Sequence, residues 1–175
     1  IVRQAGILRF YRPLLERVLR AADAIVIGSP PMRRGAFLGP HGAKLRLIPY
    51  GIPLARFQPN PGAPAAPPAA AGRTRTLLFV GRLRHYKGLD FLIAALPGID
   101  AHLLIAGVGP TEAEWRSLAA QAGVAEKITW LGEVSDDDLP ALYRTADLFV
   151  LPASNASEAF GLVQVEAMAA GLPVV

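Results

Sequence analysis

Residues 148–171 read LFVLPASNASEAFGLVQVEAMAAG. A short apolar run opens this stretch and stops at Pro152, a polar loop follows, and a second apolar segment ends on Gly171. A brief apolar run bounded by proline is typical of a buried strand, and glycine just past an apolar segment is a common helix end. The stretch is therefore predicted to fold as a strand, a loop and a helix.

The two acidic residues of this stretch, Glu158 and Glu166, are its candidate functional residues. Glu166 is the only charged residue between Gly161 and Ala170, a segment apolar enough to predict a buried helix. A carboxylate is almost never fully buried alone, so Glu166 needs a partner from elsewhere in the chain. Eight positions along a helix span at most about 12 Å, which is too wide for the roughly 5 Å carboxylate pair of a retaining glycosidase. The spacing suits contacts with the two ends of one elongated ligand.

The start of the predicted helix is a candidate anion site. The backbone N–H groups of Phe160, Gly161 and Leu162 lie there, and the first N–H groups of a helix lack partners within the helix. An alternative interpretation leaves Glu158 in solvent and pairs Glu166 with a neighbouring strand.

The chain from residue 76 onward alternates apolar runs with helical patterns. Continuous apolar strands separated by helices are typical of a parallel, doubly wound α/β sheet of the Rossmann-like kind. Ligands bind such sheets at the carboxyl ends of the strands. The predicted strands are 76–80, 101–106, 127–131 and 148–151, and the predicted helices between them are 88–96, 111–122 and 135–145. Thr111 is the expected cap of the second helix. Ser135 is expected to start the third, which has three aspartates in its first turn.

The first part of the chain contains the elements of a second α/β unit. Residues 6–22 form an amphipathic pattern with several arginines, which indicates either a packed helix or a helix lying on a membrane surface. Strands are predicted at 24–28 and 45–48, with a helix over 31–38 that Ser29 caps.

A Pro/Ala-rich stretch separates the two parts. Residues 59–73 lack apolar periodicity and large side chains, which is typical of a semi-rigid linker. The sequence therefore predicts the end of an N-terminal domain over 1–58, a linker over 59–73 and a C-terminal domain over 74–175. Because the chain starts at Ile1 and stops in the pattern of a strand opening, it is expected to be a fragment of a longer protein.

The net charge of +4 is unevenly distributed. Residues 1–60 hold ten Lys/Arg and two Asp/Glu, whereas residues 61–175 hold eight and twelve. The basic first part favours an anionic partner, either a membrane surface or a phosphate-bearing substrate, or it is an ordinary solvated face. No cysteine occurs and the three histidines lack ligand spacing, so no catalytic metal is expected. No nucleic-acid-binding motif, membrane-spanning run or signal peptide is visible in the given residues.

The loop after the strand 76–80 carries candidate phosphate ligands. Gly81 permits close approach of a ligand to the backbone. Arg82 offers a planar fork of donors and Lys87 a mobile point charge, and the two can neutralise a diphosphate from two sides. The alternative is a solvated basic loop.

Two further turns follow the next strands. The Gly-x-Gly formed by Gly107 and Gly109 is too short for a dinucleotide fingerprint and indicates either a ligand contact or a tight turn. Val134 closes a comparable turn after the strand 127–131.

Taken together, these motifs resemble the retaining GT-B glycosyltransferases of family 4, the group 1 type. Glu-x7-Glu with Phe-Gly inside resembles their donor-binding signature, and Gly-Arg-Leu-x4-Lys-Gly resembles their diphosphate-binding element. Residues 48–51 and 56–59 partly match the end of their N-terminal domain, with Tyr50 and Pro53 where the family usually has Asn and Asp.

The resemblance implies a role for each candidate residue. Arg82 and Lys87 would bind the donor diphosphate and stabilise the leaving nucleotide. Glu158 would position the sugar as the third catalytic residue, and Glu166 would hold the ribose. The remaining substrate-binding residues would be Gly81, Gly107, Gly109, Val134, Phe160, Gly161 and Leu162, near the phosphates, the sugar and the base.

The implied activity is transfer of a hexose from a nucleoside-diphosphate sugar to a lipid-linked or polysaccharide acceptor. Retention of configuration is expected, with no metal, no cofactor and no nucleic-acid partner. The likeness is greatest to mannosyl- or rhamnosyl-transferring members that build surface polysaccharide.

Two alternatives stay open beside that activity. The chain would be a non-catalytic fragment that binds sugar nucleotides, or a GT-B epimerase or phosphorylase. The fragment alone is expected to be inactive. The expected location is the cytoplasm, with peripheral binding to the anionic inner face of the cell membrane.

Overall fold

The computed structural model describes residues 2–35, 37–58, 74–153, 158 and 160–175, the first nine of these by their backbone only. They belong to two compact units, Ile1–Gly51 and Ile52–Val175. The predicted linker 59–73 lies outside the described residues, as do residues 154–157 and 159 of the loop before the last helix.

The first unit contains one long helix and two short parallel strands, as the sequence predicts. No helix among the described residues is both long and apolar enough to cross a membrane. In chain order its elements are α1 (Val2–Ala21), β1 (Ile25–Ile27), a 3-10 helix (Pro30–Arg34), a second 3-10 helix (Gly39–Lys44) and β2 (Leu45–Leu47).

Lys44 connects the strand pair to the end of α1. Its Nζ donates to the backbone carbonyl oxygens of Arg20 at 2.7 Å and Ala22 at 2.8 Å. The last carbonyls of a helix have no partner within the helix, and a cation there also complements the helix dipole. A side chain distant in sequence therefore stabilises the helix end.

The helix predicted over 31–38 was wrong in type and length. A 3-10 helix over Pro30–Arg34 occupies this place, and the Ser29 hydroxyl makes no capping hydrogen bond. The two adjacent prolines lack N–H donors, and the Gly35 N–H closes the segment on the Met32 carbonyl at 3.1 Å. An i to i+3 closure of this kind is the 3-10 pattern, which rarely extends beyond a few residues.

The second unit is a parallel sheet connected by helices, the predicted α/β architecture. Its elements are α2 (Leu54–Phe57), β3 (Arg75–Val80), α3 (Leu89–Ala95), β4 (Ala101–Ala106), α4 (Glu112–Gln121), β5 (Ile128–Gly132), α5 (Leu139–Thr145), β6 (Leu148–Phe149) and α6 (Leu162–Ala169). The strands are hydrogen-bonded in the order β5-β4-β3-β6, and every neighbouring pair is parallel.

The centre of this sheet is buried on both faces. Leu78 and Phe79 are consecutive residues of β3, so their side chains point to opposite faces, and both are 0 % exposed. Leu103 and Ile105 of β4 and Phe149 of β6 are equally inaccessible. Burial on both faces explains why these strands read as continuous apolar runs rather than as alternating patterns.

The end of the chain continues the sheet beyond β6. Val174 forms a parallel bridge with Phe149, and the Leu151 N–H donates to the Val175 carbonyl at 2.9 Å. The strand opening predicted at the end of the sequence is therefore confirmed.

One helix start and one helix cap differ from their predictions. The helix expected from Ser135 begins at Leu139, because Pro140 lacks an N–H and fits only the first turn of a helix. The Ser135 hydroxyl donates instead to Asp138 Oδ2 at 2.6 Å, in a turn that precedes the helix. Thr111 lies just before α4 as predicted, yet its buried hydroxyl has no hydrogen-bond partner among the described residues.

Helix α6 is less buried than its apolar sequence predicts. Ala167 is fully buried, whereas Leu162 is 37 % and Met168 56 % exposed. One face of α6 packs inward and the other lies at the surface of the described residues. The helix ends as predicted, with Gly171 at φ 81° accepting a backbone conformation that other residues rarely adopt.

The short helix α2 is an element that the sequence reading missed, and it packs into the second unit. Phe57 is only 4 % exposed and meets the Tyr143 ring edge-on, with 6.0 Å between ring centroids. Arg56 pairs with Asp137, with 3.2 Å between Nη2 and Oδ1. The described residues thus divide between Gly51 and Ile52, and the predicted domain and linker bounds stay a prediction.

Replacing Phe57 by Ala should lower the free energy of unfolding by about 3 kcal/mol, since it removes a buried aromatic side chain. Leu54 is the matched control, because it lies in the same helix but is 52 % exposed; Leu54→Ala should change stability by no more than about 0.5 kcal/mol. Urea unfolding followed by tryptophan fluorescence measures both. Equal effects of the two variants would contradict the packing of α2.

Candidate functional site

The sheet order creates a crevice between β3 and β6. From β3 the chain proceeds through β4 to β5 on one side, and β6 then pairs on the other side of β3. Loops that follow β3 and β6 therefore diverge at the carboxyl ends of two adjacent strands. This topological switch point is where open parallel sheets bind their ligands.

An ion pair connects the two loops at this point. Lys87, on the loop after β3, is 7 % exposed, and its Nζ contacts Glu158 Oε2. The other carboxylate oxygen of Glu158 accepts a hydrogen bond from the Gly161 N–H at 3.0 Å. Three predicted site residues from opposite ends of the second unit are thus brought together. The alternative that left Glu158 in solvent was wrong, since the Glu158 side chain is only 19 % exposed.

The predicted anion site at the start of α6 is partly used within the chain. Gly161 lies at the N-cap with φ 73° and ψ 49°, and its N–H already donates to Glu158. Phe160 is half-buried before it, and Leu162 is the first residue of the helix. The helix start therefore holds a carboxylate of its own chain, which fixes the side chain that faces Lys87.

Gly88 allows the two loops to approach closely. It adopts φ 70°, and a Cβ at this position would collide with the carbonyl oxygen of Pro152. Pro152 follows β6, so the contact is backbone against backbone across the crevice. Only glycine combines this conformation with this lack of space.

A cavity of about 220 Å³ lies beside the ion pair at the carboxyl ends of β3, β4 and β5. Four predicted site residues line it together, Gly81, Arg82, Gly107 and Val134. Arg82 is exposed, and no ion pair of its guanidinium occurs in the described part of the chain. The other lining residues, which the sequence reading did not select as site residues, are Val80, Ala106, Val108, Glu133 and Leu139.

Gly81 lies between the cavity and the ion pair. It lines the cavity, and a Cβ added to it would stand 3.5 Å from Lys87 Nζ. The cavity and the Lys87–Glu158 pair therefore form neighbouring parts of one site.

The two glycines of the Gly-x-Gly turn hold loops together. Gly107 has φ 130°, and a Cβ there would collide with the Gly81 carbonyl oxygen. A Cβ at Gly109 would collide with the backbone of Leu83, whose N–H donates to the Val108 carbonyl at 3.0 Å. Both glycines serve close loop packing, and only Gly107 also lines the cavity.

Glu166 has a hydrogen-bond partner, as its place in an apolar helix requires. The partner lies on another helix, whereas the alternative interpretation expected a neighbouring strand. Glu166 Oε2 accepts a hydrogen bond from the Tyr143 hydroxyl at 2.8 Å. Tyr143 lies on helix α5 rather than on a neighbouring strand. Burial, and then the negative charge of Glu166, raise the pKa of Tyr143 far above its ordinary value. The phenol therefore stays protonated and acts as a donor to the carboxylate.

Sequence reasoning missed Tyr143 because its local pattern does not indicate a hydrogen-bonding role. It lies 23 residues before Glu166 and reads as one more large residue of an amphipathic helix. The need of Glu166 for a partner was visible in the sequence, but the identity of the partner depends on how α5 and α6 pack.

The described residues contain no group of three His, Cys, Asp or Glu side chains that could hold a metal ion. Lys87, Arg82 and the backbone N–H groups around them are donors, which suits an anionic ligand. The expectation of a metal-free reaction stays a prediction.

Residues 66–175 match the family described as Glycosyl transferases group 1. The chain belongs to this family. The match covers the whole of the sheet, its loops and α6, so every predicted site residue falls inside it.

Two relatives are similar along nearly the whole chain. The D-rhamnosyltransferase WbpZ of Pseudomonas aeruginosa is 36 % identical over 180 residues, which cover 100 % of this chain and 46 % of WbpZ. The GDP-mannose-dependent alpha-(1-6)-phosphatidylinositol monomannoside mannosyltransferase of Mycobacterium tuberculosis is 35 % identical over 178 residues, covering 94 % of this chain and 46 % of that enzyme. The chain thus spans just under half the length of these relatives.

A solved structure confirms the predicted fold. HepE from Anabaena, crystallised with UDP and glucose, superposes with a TM-score of 0.77 over 93 % of this chain and 46 % of HepE, at 22 % identity. The α/β Rossmann-like fold of GT-B glycosyltransferases is therefore established for this chain.

Replacing Gly88 by Ala should destabilise the crevice, because the new methyl group collides with the Pro152 carbonyl in a strained backbone conformation. We expect a loss of about 1–3 kcal/mol in the free energy of unfolding. Gly98 lies shortly after α3, the helix that Gly88 precedes. It has no positive φ, and a Cβ there would meet nothing within 4 Å. Gly98→Ala is thus the matched control and should be neutral. Wild-type stability of Gly88→Ala in thermal unfolding would contradict the close contact.

Proposed function

We propose that the full-length protein is a retaining GT-B glycosyltransferase of family 4 that uses a nucleoside-diphosphate sugar as donor. The observation that carries the proposal is the meeting of Lys87 and Glu158 at the switch point between β3 and β6, beside the cavity that contains Arg82. The cation in this crevice suits the anionic part of a ligand, and the carboxylate beside it suits a part that is rich in hydroxyl groups.

In this proposal Arg82 and Lys87 hold the donor diphosphate. Arg82 is exposed at the cavity and has donors to offer, while Lys87 carries three donors and uses one of them on Glu158. As the bond between the sugar and the diphosphate breaks, negative charge grows on the departing phosphate oxygen. Fixed cations stabilise such charge, and removing one preorganised donor typically costs about 10²–10³ in turnover.

The proposed chemistry is a front-face displacement. The bond from the anomeric carbon to the phosphate oxygen breaks, and the acceptor hydroxyl oxygen bonds to the same face of that carbon. The hydroxyl proton passes to the departing diphosphate. Glu158, fixed by Lys87 and the Gly161 N–H, would accept hydrogen bonds from sugar hydroxyls and so orient the sugar.

The relatives support a mannosyl or rhamnosyl donor. One is named as a D-rhamnosyltransferase and another as a GDP-mannose-dependent mannosyltransferase. The cavity at the ends of β4 and β5 would take the base, with Gly107 and Val134 beside it. A lipid-linked or polysaccharide acceptor completes the proposed reaction.

Arg82→Ala and Lys87→Ala in the full-length protein should each lower turnover by at least about 100-fold, since each removes charge from the diphosphate site. Arg84 is the matched control, because it is an exposed cation of the same loop that does not line the cavity. Arg84→Ala should retain turnover within a factor of about three. Product formation from a panel of nucleotide sugars measures all three variants, and near-normal activity of both Arg82→Ala and Lys87→Ala would refute the proposal.

The same assay separates the proposal from its alternatives. Formation of an epimer or of a sugar phosphate without a transfer product would indicate an epimerase or a phosphorylase. For residues 1–175 alone, donor binding in calorimetry without turnover would indicate the non-catalytic fragment that binds sugar nucleotides, and turnover by these residues would exclude it.

We further propose that α1 lies on an anionic membrane surface at the cytoplasmic face. Tyr11, Leu14 and Val18 recur at helical spacing and are 58 %, 53 % and 57 % exposed. Arg12 and Arg17 lie on the same helix and are also exposed. An apolar stripe flanked by arginines suits the boundary between headgroups and acyl chains, and each basic side chain near such a surface adds about 1 kcal/mol.

Vesicle co-sedimentation of the full-length protein tests this location. Binding to vesicles with anionic lipid should exceed binding to neutral vesicles and should fall at high salt, because salt screens charges beyond about 8 Å at physiological strength. Leu14→Ser with Val18→Ser should weaken binding, whereas Met32→Ser, an exposed apolar residue outside α1, should not. Equal binding to both vesicle types, or binding to neither, would contradict the proposal.

A further inference from the structure

The carboxylate of Glu166 is held from one side by a buried phenol. Tyr143 is 0 % exposed, and its hydroxyl donates to Glu166 Oε2 at 2.8 Å. Glu166 is half-buried rather than fully enclosed. An ionised carboxylate has about four lone-pair sites, and the Tyr143 hydroxyl uses one of them.

Two aromatic rings hold Tyr143 in place. Phe57 meets the Tyr143 ring edge-on at 6.0 Å between centroids, and Phe149 meets it in a tilted arrangement at 5.9 Å. Both are almost completely buried, with Phe57 at 4 % and Phe149 at 0 % exposure. A ring packed between two others has little freedom to change rotamer, so its hydroxyl points in a fixed direction.

The charge state of the pair supports a fixed donor and a fixed acceptor. Burial raises the pKa of Tyr143, so the phenol does not ionise near neutral pH. A neutral phenol donates one hydrogen bond and leaves the full negative charge on the carboxylate. Glu166 thus differs from Glu158, whose charge is offset by Lys87.

We propose that Tyr143 is a positioning residue that sets the orientation of Glu166 toward the ribose hydroxyls of a nucleoside diphosphate, and that Phe57 and Phe149 fix the Tyr143 ring. The inference rests on the proposed function, from which it takes the class of the ligand, and on the ribose contact that the family resemblance implies for Glu166. It adds a residue from α5, together with a contact from α2, to the part of the site that recognises ribose.

The proposal predicts an effect on the selectivity between ligands with and without ribose hydroxyls, rather than on the affinity for all nucleotides. Without the hydroxyl of Tyr143, the Glu166 carboxylate loses the bond that orients it, and its contacts with ribose hydroxyls weaken. A ligand that lacks those hydroxyls has no such contacts to lose. The ratio of the affinities for a ribonucleoside diphosphate and its 2′,3′-dideoxy analogue therefore reports the orientation of Glu166.

Calorimetry on the full-length protein measures this ratio. Among UDP, GDP and ADP, the nucleotide that binds wild type most tightly is compared with its 2′,3′-dideoxy form, with wild type expected to prefer the ribose form. Tyr143→Phe should reduce that preference about tenfold, because a carboxylate that is no longer oriented loses a hydrogen bond from a ribose hydroxyl, and a hydrogen bond to a charged group has about this effect. The affinity for the dideoxy form should stay unchanged. Glu166→Ala should abolish the preference. Tyr50→Phe, an exposed tyrosine of the first unit, should leave it at the wild-type value.

The outcomes separate the two proposals. If wild type binds none of the three nucleotides, the proposed function fails. If Glu166→Ala removes the ribose preference while Tyr143→Phe keeps it in full, the donor site stands and the role of Tyr143 is refuted. An equal loss of affinity for both nucleotide forms in Tyr143→Phe would also refute it, because that is the result of a purely structural defect. Should Tyr143→Phe fold poorly, Phe57→Leu keeps the hydroxyl and loosens the ring, and it should lower the same ratio; an unchanged ratio would overturn the inference.

Discussion

The ion pair of Lys87 and Glu158 is the interaction on which the candidate site depends. Removing two charges from water costs several kcal/mol per ion, and only good mutual geometry with further hydrogen bonds offsets that cost. Here the Lys87 side chain is 9 % and that of Glu158 19 % exposed, and the second oxygen of Glu158 is satisfied by the Gly161 N–H. Neither charge is left alone, so the pair persists and ties the loop after β3 to the start of α6.

Backbone packing fixes the loops that present this pair. Gly88 lies against the Pro152 carbonyl, and Gly107 against the Gly81 carbonyl. Direct contact between backbones leaves no side chains to rearrange, so the ends of β3, β4 and β6 are held at short, defined separations. A site built on such contacts is preorganised, which is what a ligand with two fixed charges requires.

The fold could be predicted from the sequence because its signals are local. Each strand of the second unit is a continuous apolar run, and burial on both faces of a parallel sheet requires that pattern. The misplaced start of α5 was also readable, since Pro140 restricts where a helix can begin. The α-helix predicted over 31–38 was wrong because the two adjacent prolines were taken as the start of an α-helix, whereas the segment that they open is a short 3-10 helix.

The candidate site was only partly predictable because its partners are distant in sequence. Motif spacing selected Lys87 and Glu158 separately, but they lie 71 residues apart, and their contact follows from the strand order. The partner of Glu166 was likewise invisible, since it depends on how α5 and α6 pack. Local pattern thus identifies chemical groups, and topology decides which of them meet.

The two carboxylates of the last loop and helix illustrate how packing gives identical groups different properties. Glu158 faces an ammonium group, so the pair as a whole is close to neutral, and a diphosphate that approaches Lys87 meets little net repulsion. Glu166 faces a neutral phenol and keeps its full negative charge, which would repel phosphate but accept hydroxyl donors. A nucleoside-diphosphate sugar has phosphate at its centre and hydroxyl groups on both sides. Under the proposed function, the difference between an ammonium and a phenol partner therefore favours the orientation that places the diphosphate at Lys87 and ribose hydroxyls at Glu166.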